Sequence, residues 1–574
     1  VNRRQVAAAL EEIALLLELS GENPFKVRAY AAAARAAESF PGDLLTAVTD
    51  GSLRKLKGIG TAIFEKIAAL VTTGELPYLD ELKRRFPPGL FELFRIPGLG
   101  PKKVRLLYEK LGVDSLSGLE RACRDDRVRG LPGLGGRTQE NILKGIALAA
   151  AHAEYRLFDE AERAAGELRE AVEQTGLAGR VAIAGSVRRL REVVRNVDVL
   201  ASADQPAELA DGFAAAAAVD VVTARTPEAV SVRLRSGMAG RLRIVPAKRF
   251  PAALLALTGS REHNEALRAF AKAKGFRLDE LGLFGEGAAD ALPGGSEEEI
   301  YGRLGLSAIP PELRENLGEI EAAERGEIPR LVETGDLHGL FHVHTTESDG
   351  ADTLEDMLEA VATAGFQYVA VTDHSKTAAY ARGLDERRVV RQHAAIDAAQ
   401  SRYPGLRIFK GTEADILADG SIDFGDEFLS SFEIVVASVH SRFGLSEDDQ
   451  TRRLVKAVEN PRVTILGHPT GRLLLAREGF AVRMDRVLDA AAASGCAVEI
   501  NASPHRLDLD WRLVRRAVEK GVLLAIAPDA HSVEGLSVWR YGVGIARKGW
   551  ARTADVLNAK TLPELEAWLR RRRP

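Results

Sequence analysis

Six of the eleven histidines in the 574-residue chain sit where short apolar runs of its C-terminal part end. The runs are Phe341-His342-Val343-His344, then 368–372 before Asp373-His374, 408–412 before Glu413, 434–439 before His440, 463–467 before His468, and 523–528 before Asp529-Ala530-His531. Asp349 follows the first run in Ser348-Asp349-Gly350. Imidazoles and carboxylates gathered at one rim have little structural motive, because each buried nitrogen or charge needs a partner. As metal ligands, mixed His, Asp and Glu sets suit Zn, Mn or Fe rather than Ca. The His-x-His pair places both imidazoles on one face of a strand, ready to share an ion.

With the apolar run at 497–500, these are seven strands separated by helical stretches from about residue 336 onward. Such alternation predicts a parallel sheet or barrel, here a slightly reduced, distorted (β/α)7 barrel of the TIM kind, whose chemistry gathers where strands run into their following loops. The ligand set resembles the polymerase and histidinol phosphatase (PHP) domain over residues 336–574. The resemblance implies up to three ions, Mn²⁺ or Zn²⁺: one held by His342, His344, Glu413 and Asp529, a second by Asp349, His374 and His531, a third by His440 and His468 with Glu413 bridging. It also implies metal-dependent 3′→5′ exonuclease chemistry. Asp373 is expected to orient an imidazole from behind. Arg442 and Arg472 are each expected either to contact phosphate or to form a structural ion pair.

At the other end of the chain one pattern occurs three times: Leu56-Lys57-Gly58-Ile59-Gly60, Ile96-Pro97-Gly98-Leu99-Gly100 and Leu131-Pro132-Gly133-Leu134-Gly135. Each precedes a helix carrying Lys or Arg. Glycines at such turns allow close approach of a ligand, and the helix behind aims its free N–H groups at an anion. That grip takes phosphate without reading bases, so binding should be sequence-independent and salt-sensitive. The pattern resembles the helix-hairpin-helix motif of DNA-repair proteins, and DNA, gapped or with free ends, is the expected partner. Lys66, on the helix after the first turn, is either a solvated lysine or a Schiff-base nucleophile toward an abasic sugar.

Between these ends, Gly185-Ser186-Val187-Arg188-Arg189 followed by Asn196-Val197-Asp198-Val199 looks like a nucleotidyltransferase signature, with Thr258-Gly259-Ser260, Asn264 and Arg268 further on. With the front, residues 1–315 resemble family X DNA polymerases. The resemblance puts nucleotide contacts at Gly185, Ser186, Arg188, Asn264 and Arg268, a 5′-phosphate lysine at Lys26 and the lyase nucleophile at Lys66. It also asks for three metal-binding aspartates, which fall on Asn196, Asp198 and Arg241. A guanidinium binds no metal and keeps its proton. Arg241 is therefore expected to stand as a fixed cation beside Asp198, making use of Mg²⁺ or Mn²⁺ and a dNTP at this palm weak or non-standard.

The boundaries read from these segments are a lyase-type helical domain at 1–80, fingers at 81–150, palm at 151–255, thumb at 256–315, a linker at 316–335 and the barrel at 336–574. The palm is expected to be α+β, with strands near 181–184, 197–201, 230–234 and 242–245; the thumb is expected to be helical with a Gly/Pro-rich middle. Residues 1–150 carry 23 Lys/Arg against 18 Asp/Glu, a net +5 that leaves −9 elsewhere in a chain of net −4. A basic front and an acidic body suit phosphate and cations respectively. Two distant cysteines exclude a disulfide framework, and neither a membrane span nor a secretory leader is read, so a cytoplasmic protein is expected. Three functions compete: an end-processing nuclease with a compromised polymerase, a competent gap-filling polymerase with a trimming nuclease, and a DNA-binding scaffold carrying a small-molecule phosphatase.

Overall fold

The computed structural model describes residues 3–38, 40, 44–56, 58–96 and 98–572; Lys57 and Pro97, second positions of the first two glycine turns, lie outside them. The chain divides into two compact units, Val1–Ala153 with Leu475–Arg477, and Glu154–Leu474 with Glu478–Pro574.

The first unit is helical. Val6, Leu10, Ile13 and Leu17 recur at helical spacing along Arg3–Leu19 and are fully buried, packed in one core with Ala33, Ala34 and Ala37 of Pro24–Glu38. After each glycine turn a helix begins, at Thr61–Thr73, Pro101–Leu111 and Gly136–Ala151. The middle residue of each turn, Ile59, Leu99 or Leu134, is buried and anchors the turn.

The second unit begins with a five-stranded sheet in the order Arg180–Ala184, Asn196–Ser202, Ala239–Val245, Ala229–Leu234, Val219–Thr226. Asn196–Ser202 and Ala239–Val245 run parallel, with Asp198 directly opposite Arg241. The edge strand Val219–Thr226 was not expected: it is almost wholly exposed and has no apolar face to betray it. The thumb segment likewise holds a β-hairpin, Phe276–Asp279 with Gly282–Gly285, in its Gly-rich middle, where no strand was expected. Tight-turn geometry rather than hydrophobic period specifies so short a pair.

The C-terminal part forms seven parallel strands in chain order: Gly339–Val343, Tyr368–Val371, Arg407–Asp415, Ile434–Ser438, Ile465–Leu466, Ala497–Asn501 and Leu524–Ala527. The first and last approach through the His344 N–H to Ala530 carbonyl bond (2.9 Å), so the barrel is nearly closed. Successive strand residues alternate between two cores. Leu340, Val369, Ile408, Val435 and Val498 pack outward with the helices, whereas Phe341, Tyr368, Phe409, Val436 and Ala497 fill the interior. The C-terminal helix Leu562–Arg572 joins the interior cluster through Leu565, Trp568 and Leu569.

Ion pairs join this barrel to the sheet and thumb. Buried Lys548 donates to Glu315 (2.5 Å) and to the Arg189 and Glu312 carbonyls, while Arg189 also pairs with Glu315. Burial pushes the Lys548 ammonium down to about 8 against the pull of Glu315. No helix among the described residues is long and apolar enough to cross a membrane. Cys123 and Cys496 are free and buried.

Candidate metal centre and nucleic-acid interface

At the C-terminal ends of the barrel strands, nine side chains converge, with Glu413 at their centre. Its Oε1 lies 3.2 Å from His342 Nε2, 3.2 Å from His440 Nε2 and 3.0 Å from His468 Nε2; its Oε2 lies 2.8 Å from His374 Nδ1 and 3.7 Å from His344 Nε2. Asp529 Oδ1 is 3.4 Å from Nε2 of both His342 and His344, and Asp349 Oδ1 is 3.4 Å from His531 Nε2 and 3.6 Å from His374 Nε2. Three overlapping groups have ligand atoms close enough for one ion each: His342, His344 and Asp529; His344, Asp349, His374 and His531; His374, Glu413 and His440. His344 and His374 thus each stand between two groups, where the sequence reading assigned each to one.

Backbone shape brings these donors together. His342 has φ +60° at a register break between Leu340 and Val343, so the His-x-His pair sits on a bulge rather than on a regular strand. Asp529, at φ +52°, also lies in the left-handed region that non-glycine residues seldom occupy.

The donor chemistry fits divalent cations. His342 Nε2, both ring nitrogens of His344, and Glu413 Oε2 are buried without a hydrogen-bond partner. Burial would discharge His342 and His440, but the carboxylates around them prevail. Glu499, Asp529 and Glu413 hold His342 well above its ordinary value; Glu413 and Asp415 hold His440 at about 10. Burial, with repulsion from His531 and His374, instead drives His344 down to about 3. Burial opposes ionisation of Glu413 too, yet His440, His342 and His374 keep it well below the carboxylate range. A cluster that collects protons through unshared lone pairs exchanges them for a dication.

Two carboxylates that sequence reasoning missed orient this cluster. Glu499 accepts from His342 Nδ1 (2.5 Å), and Asp415 pairs with His440 Nδ1. Each leaves Nε2 facing Glu413, the arrangement that fixes a ligating tautomer. The available signals were an acid inside an otherwise apolar strand, in Ala497-Val498-Glu499-Ile500, and a second acid two residues past a ligand at a strand's end, in Glu413-Ala414-Asp415. Arg506, also missed, lies 3.7 Å from Asp529. Asp373, expected behind an imidazole, binds none. It accepts from Thr345 N–H and Oγ1, Ser348 N–H and Oγ, and Gln392, and so holds the loop after the first strand. Arg472 takes the structural alternative: it pairs with Asp510 (2.6 Å) and donates to the Arg506 and Leu507 carbonyls. Arg442 is exposed at φ +57°, with no side-chain partner among the described residues.

In the palm, both oxygens of Asp198 are engaged, one by Arg241 Nε (2.7 Å) and the other by Asn196 Nδ2 (2.9 Å). Gly185, at φ +65°, packs so closely that a Cβ there would stand 2.4 Å from Asp198 Oδ2; Ser186 follows it, half-buried. Arg188 does not stand free for a triphosphate: it forms a two-pronged pair with Glu297 (2.6 and 3.0 Å), which also holds buried Arg314 (2.6 Å). The Asn264 amide is likewise used within the fold, donating to the Ala256 and Gly259 carbonyls. Arg268 is exposed.

In the helical unit, Gly58, Gly98 and Gly133 take φ of +103°, +81° and +76°. Gly60, Gly100 and Gly135 then begin their helices in ordinary extended conformation, with no capping side chain. Open space surrounds a Cβ at each of those three, so nothing inside the fold demands glycine there. The uncapped, uncovered N–H groups suit a phosphate approaching from outside. Lys66 Nζ donates to the Ala62 carbonyl (3.1 Å) and lies over the Tyr78 ring, and Lys26 pairs with Glu22 (3.5 Å).

Comparison with known proteins parallels this division. A helix-hairpin-helix domain model matches residues 1–76, a SAM-like helix-hairpin-helix tandem 91–147, a DNA polymerase beta thumb 253–315 and a PHP domain 341–503. The DNA polymerase/3′-5′ exonuclease PolX of Bacillus subtilis (strain 168) is 38% identical over 573 residues, covering 100% of both chains. A probable phosphatase of Caldanaerobacter subterraneus subsp. tengcongensis is 29% identical over 201 residues, 33% of this chain and 74% of that protein. One of Shewanella sp. (strain MR-4) is 25% identical over 233 residues, 39% of this chain and 83% of that protein.

Proposed function

The chain belongs to the bacterial PolX family, family X DNA polymerases with helix-hairpin-helix and PHP domains, and from that membership we propose that its chief chemistry is metal-dependent 3′→5′ hydrolysis of DNA ends in the barrel. The observation that carries the reading is the set of buried, unpartnered imidazole nitrogens facing Glu413 and Asp529. His342, His344, Asp349, His374, Glu413, His440, His468, Asp529 and His531 would hold up to three ions; the imidazole–carboxylate mixture favours Mn²⁺ or Zn²⁺. Bound there, divalent cations supply Lewis acidity toward a phosphodiester and its attacking water. Glu499 and Asp415 hold the ligating imidazoles in the tautomer that leaves Nε2 open. Arg442 and Arg506 offer guanidinium groups to the phosphate. The hairpins of the helical unit grip the DNA backbone, with Gly58, Gly60, Gly98, Gly100, Gly133 and Gly135 as the points of approach.

The palm is proposed to contribute binding more than synthesis, supported by the pairing of Asp198 with Arg241. The probable phosphatases match 33% and 39% of the chain, about the length of the barrel, which favours a second reading in which it hydrolyses a small phosphate ester. One experiment separates the two. With Mn²⁺, the full-length protein should shorten a 5′-labelled single strand from its 3′ end far faster than it cleaves p-nitrophenyl phosphate. His342→Ala with His344→Ala should abolish shortening while the strand is still bound. Shortening that persists in the double variant sinks the assignment.

A further inference from the structure

Beside the metal centre one large aromatic side chain is left in solvent by a loop that is otherwise tightly built. Tyr380, in the turn Ala379–Ala381, is 71% exposed, while its neighbours Ala378 and Ala381 are buried. Its ring centroid stands 6.2 Å from that of His374 and 6.3 Å from that of His440. The loop beneath is pinned at several points. Ala378 N–H donates to the Ser375 carbonyl (3.0 Å), Gly383 N–H to Ala378 (3.1 Å) and Leu384 N–H to His374 (2.7 Å). Asp423 accepts from Ser375 Oγ (2.7 Å) and Thr377 N–H (3.1 Å). The Ser375 carbonyl passes so near Gly383 that a Cβ there would meet it at 1.8 Å. Arg388 ties the far side by donating to the Gly383 carbonyl (3.2 Å). A loop fixed this firmly could fold its tyrosine onto the core; it instead holds the ring out, within one side chain's reach of two candidate ligands.

Resting on the nuclease reading above, we propose that Tyr380 is the platform on which the 3′-terminal base of the DNA stacks, so that it positions the scissile phosphate and favours polynucleotide ends over small phosphate esters. A base face laid on an aromatic ring needs no hydrogen-bond code, which fits a site serving any terminal nucleotide. A nearby charge suits the same ligand: Arg442, two residues beyond His440, presents to the sugar-phosphate chain a guanidinium with no side-chain partner among the described residues. Tyr380 ligates nothing and moves no proton in this role; it acts through where it holds the base.

The test compares the full-length protein with Tyr380→Ala and Tyr380→Phe, loaded with Mn²⁺. The substrates are a single-stranded oligodeoxynucleotide, the same strand ending in an abasic nucleotide, and bis(p-nitrophenyl) phosphate. Stacking of the usual strength predicts that Tyr380→Ala lowers kcat/KM on the normal end, relative to the small diester, by about 5- to 150-fold. Most of that loss should lie in KM. The abasic end should fall far less than the normal one, and Tyr380→Phe should restore the wild-type ratio. A ratio that Tyr380→Ala leaves unmoved overturns the platform while the nuclease stands. An equal loss on all three substrates assigns the residue a merely structural part and overturns it as well. Wild-type protein that hydrolyses the diester but not the strand removes the nuclease reading and this proposal together.

Discussion

Replacing Glu499 by Gln tests whether the carboxylates behind the histidines set metal affinity. Glu499 is wholly buried on the sixth barrel strand; one oxygen takes the His342 Nδ1 proton at 2.5 Å, and the other accepts the backbone N–H of His468. A glutamine of nearly the same shape offers one acceptor and one donor where two acceptors are used. If its NH₂ turns to His342, the imidazole must carry its proton on Nε2, the atom facing Glu413 and Asp529. If it turns to His468, two N–H groups oppose each other in the interior. Either way the metal site loses a correctly oriented ligand or a negative charge. Such partners are typically worth about 10- to 100-fold in affinity, about 1.4–2.7 kcal/mol. Calorimetric titration of Mn²⁺ into metal-stripped wild type and Glu499→Gln reads this directly. Asp373→Asn is the control: it is as deeply buried and even more heavily hydrogen-bonded, but touches no imidazole. It should lower thermal stability while leaving Mn²⁺ affinity near wild type. Equal affinity in Glu499→Gln and wild type, or a larger loss in Asp373→Asn, would refute the reasoning.

In the palm, the joint change Asn196→Asp and Arg241→Asp places three carboxylates together, because residues 196 and 198 alternate on one strand and 241 lies directly opposite 198; Mn²⁺-dependent extension of a gapped primer should rise above wild type, and no gain would mean that Arg241 is not what limits synthesis. Glu297→Gln should cost about 3–5 kcal/mol near pH 7, since it strips buried Arg314 and half-buried Arg188 of their anion. Burial tends to raise the Glu297 carboxyl, but Arg188 and Arg314 keep it below its ordinary 4.5. The stabilisation is therefore complete above that value and drains away as pH falls through it toward the folded pKa. Denaturant unfolding of wild type and variant should converge as pH drops below 4.5; a gap constant across that range would show that the charge is not its source.

What could be read from sequence follows the periodicity of each segment. Every barrel strand is buried on both sides and so announces itself as an apolar run. The ligands were legible because Glu413, His440, His468 and Asp529 stand just where such runs end. Glu499 lies inside its strand and Asp415 ends its strand two residues past Glu413, where a further charge extends no apolar pattern, and only the arrival of His342 and His440 from other strands explains them. Asp373 failed for the converse reason. Adjacency to His374 in sequence suggested contact, but neighbouring residues leave an extended chain on opposite sides, and its carboxylate turned to Thr345 and Ser348. The overlap of ion groups through His344 and His374 is a spatial fact, and the +60° turn at His342 is one that no side-chain pattern signals. Arg188 read as a phosphate contact, and Arg472 stayed open between phosphate and an ion pair, because their anions, Glu297 and Asp510, are remote in sequence.

The palm and the barrel face the same electrostatic problem and meet it in opposite ways. A carboxylate set among other polar groups must be compensated. At Asp198 the compensation is covalently part of the chain: Arg241 supplies a cation that cannot dissociate, and Asn196 supplies a neutral donor. A dication arriving there would have to displace a guanidinium from a pair that is itself half in water. At Glu413 no lysine or arginine among the described residues forms an ion pair; five imidazoles surround it, each able to be neutral or charged. Its compensation must come from solution, as protons or as metal, and can leave again. Under the proposed assignment, a fixed cation at one site and exchangeable groups at the other would concentrate the chain's dependence on divalent ions in the barrel. On that argument, chelation should remove the barrel's chemistry while the grip of the helical unit on DNA, which uses N–H groups and fixed charges, endures.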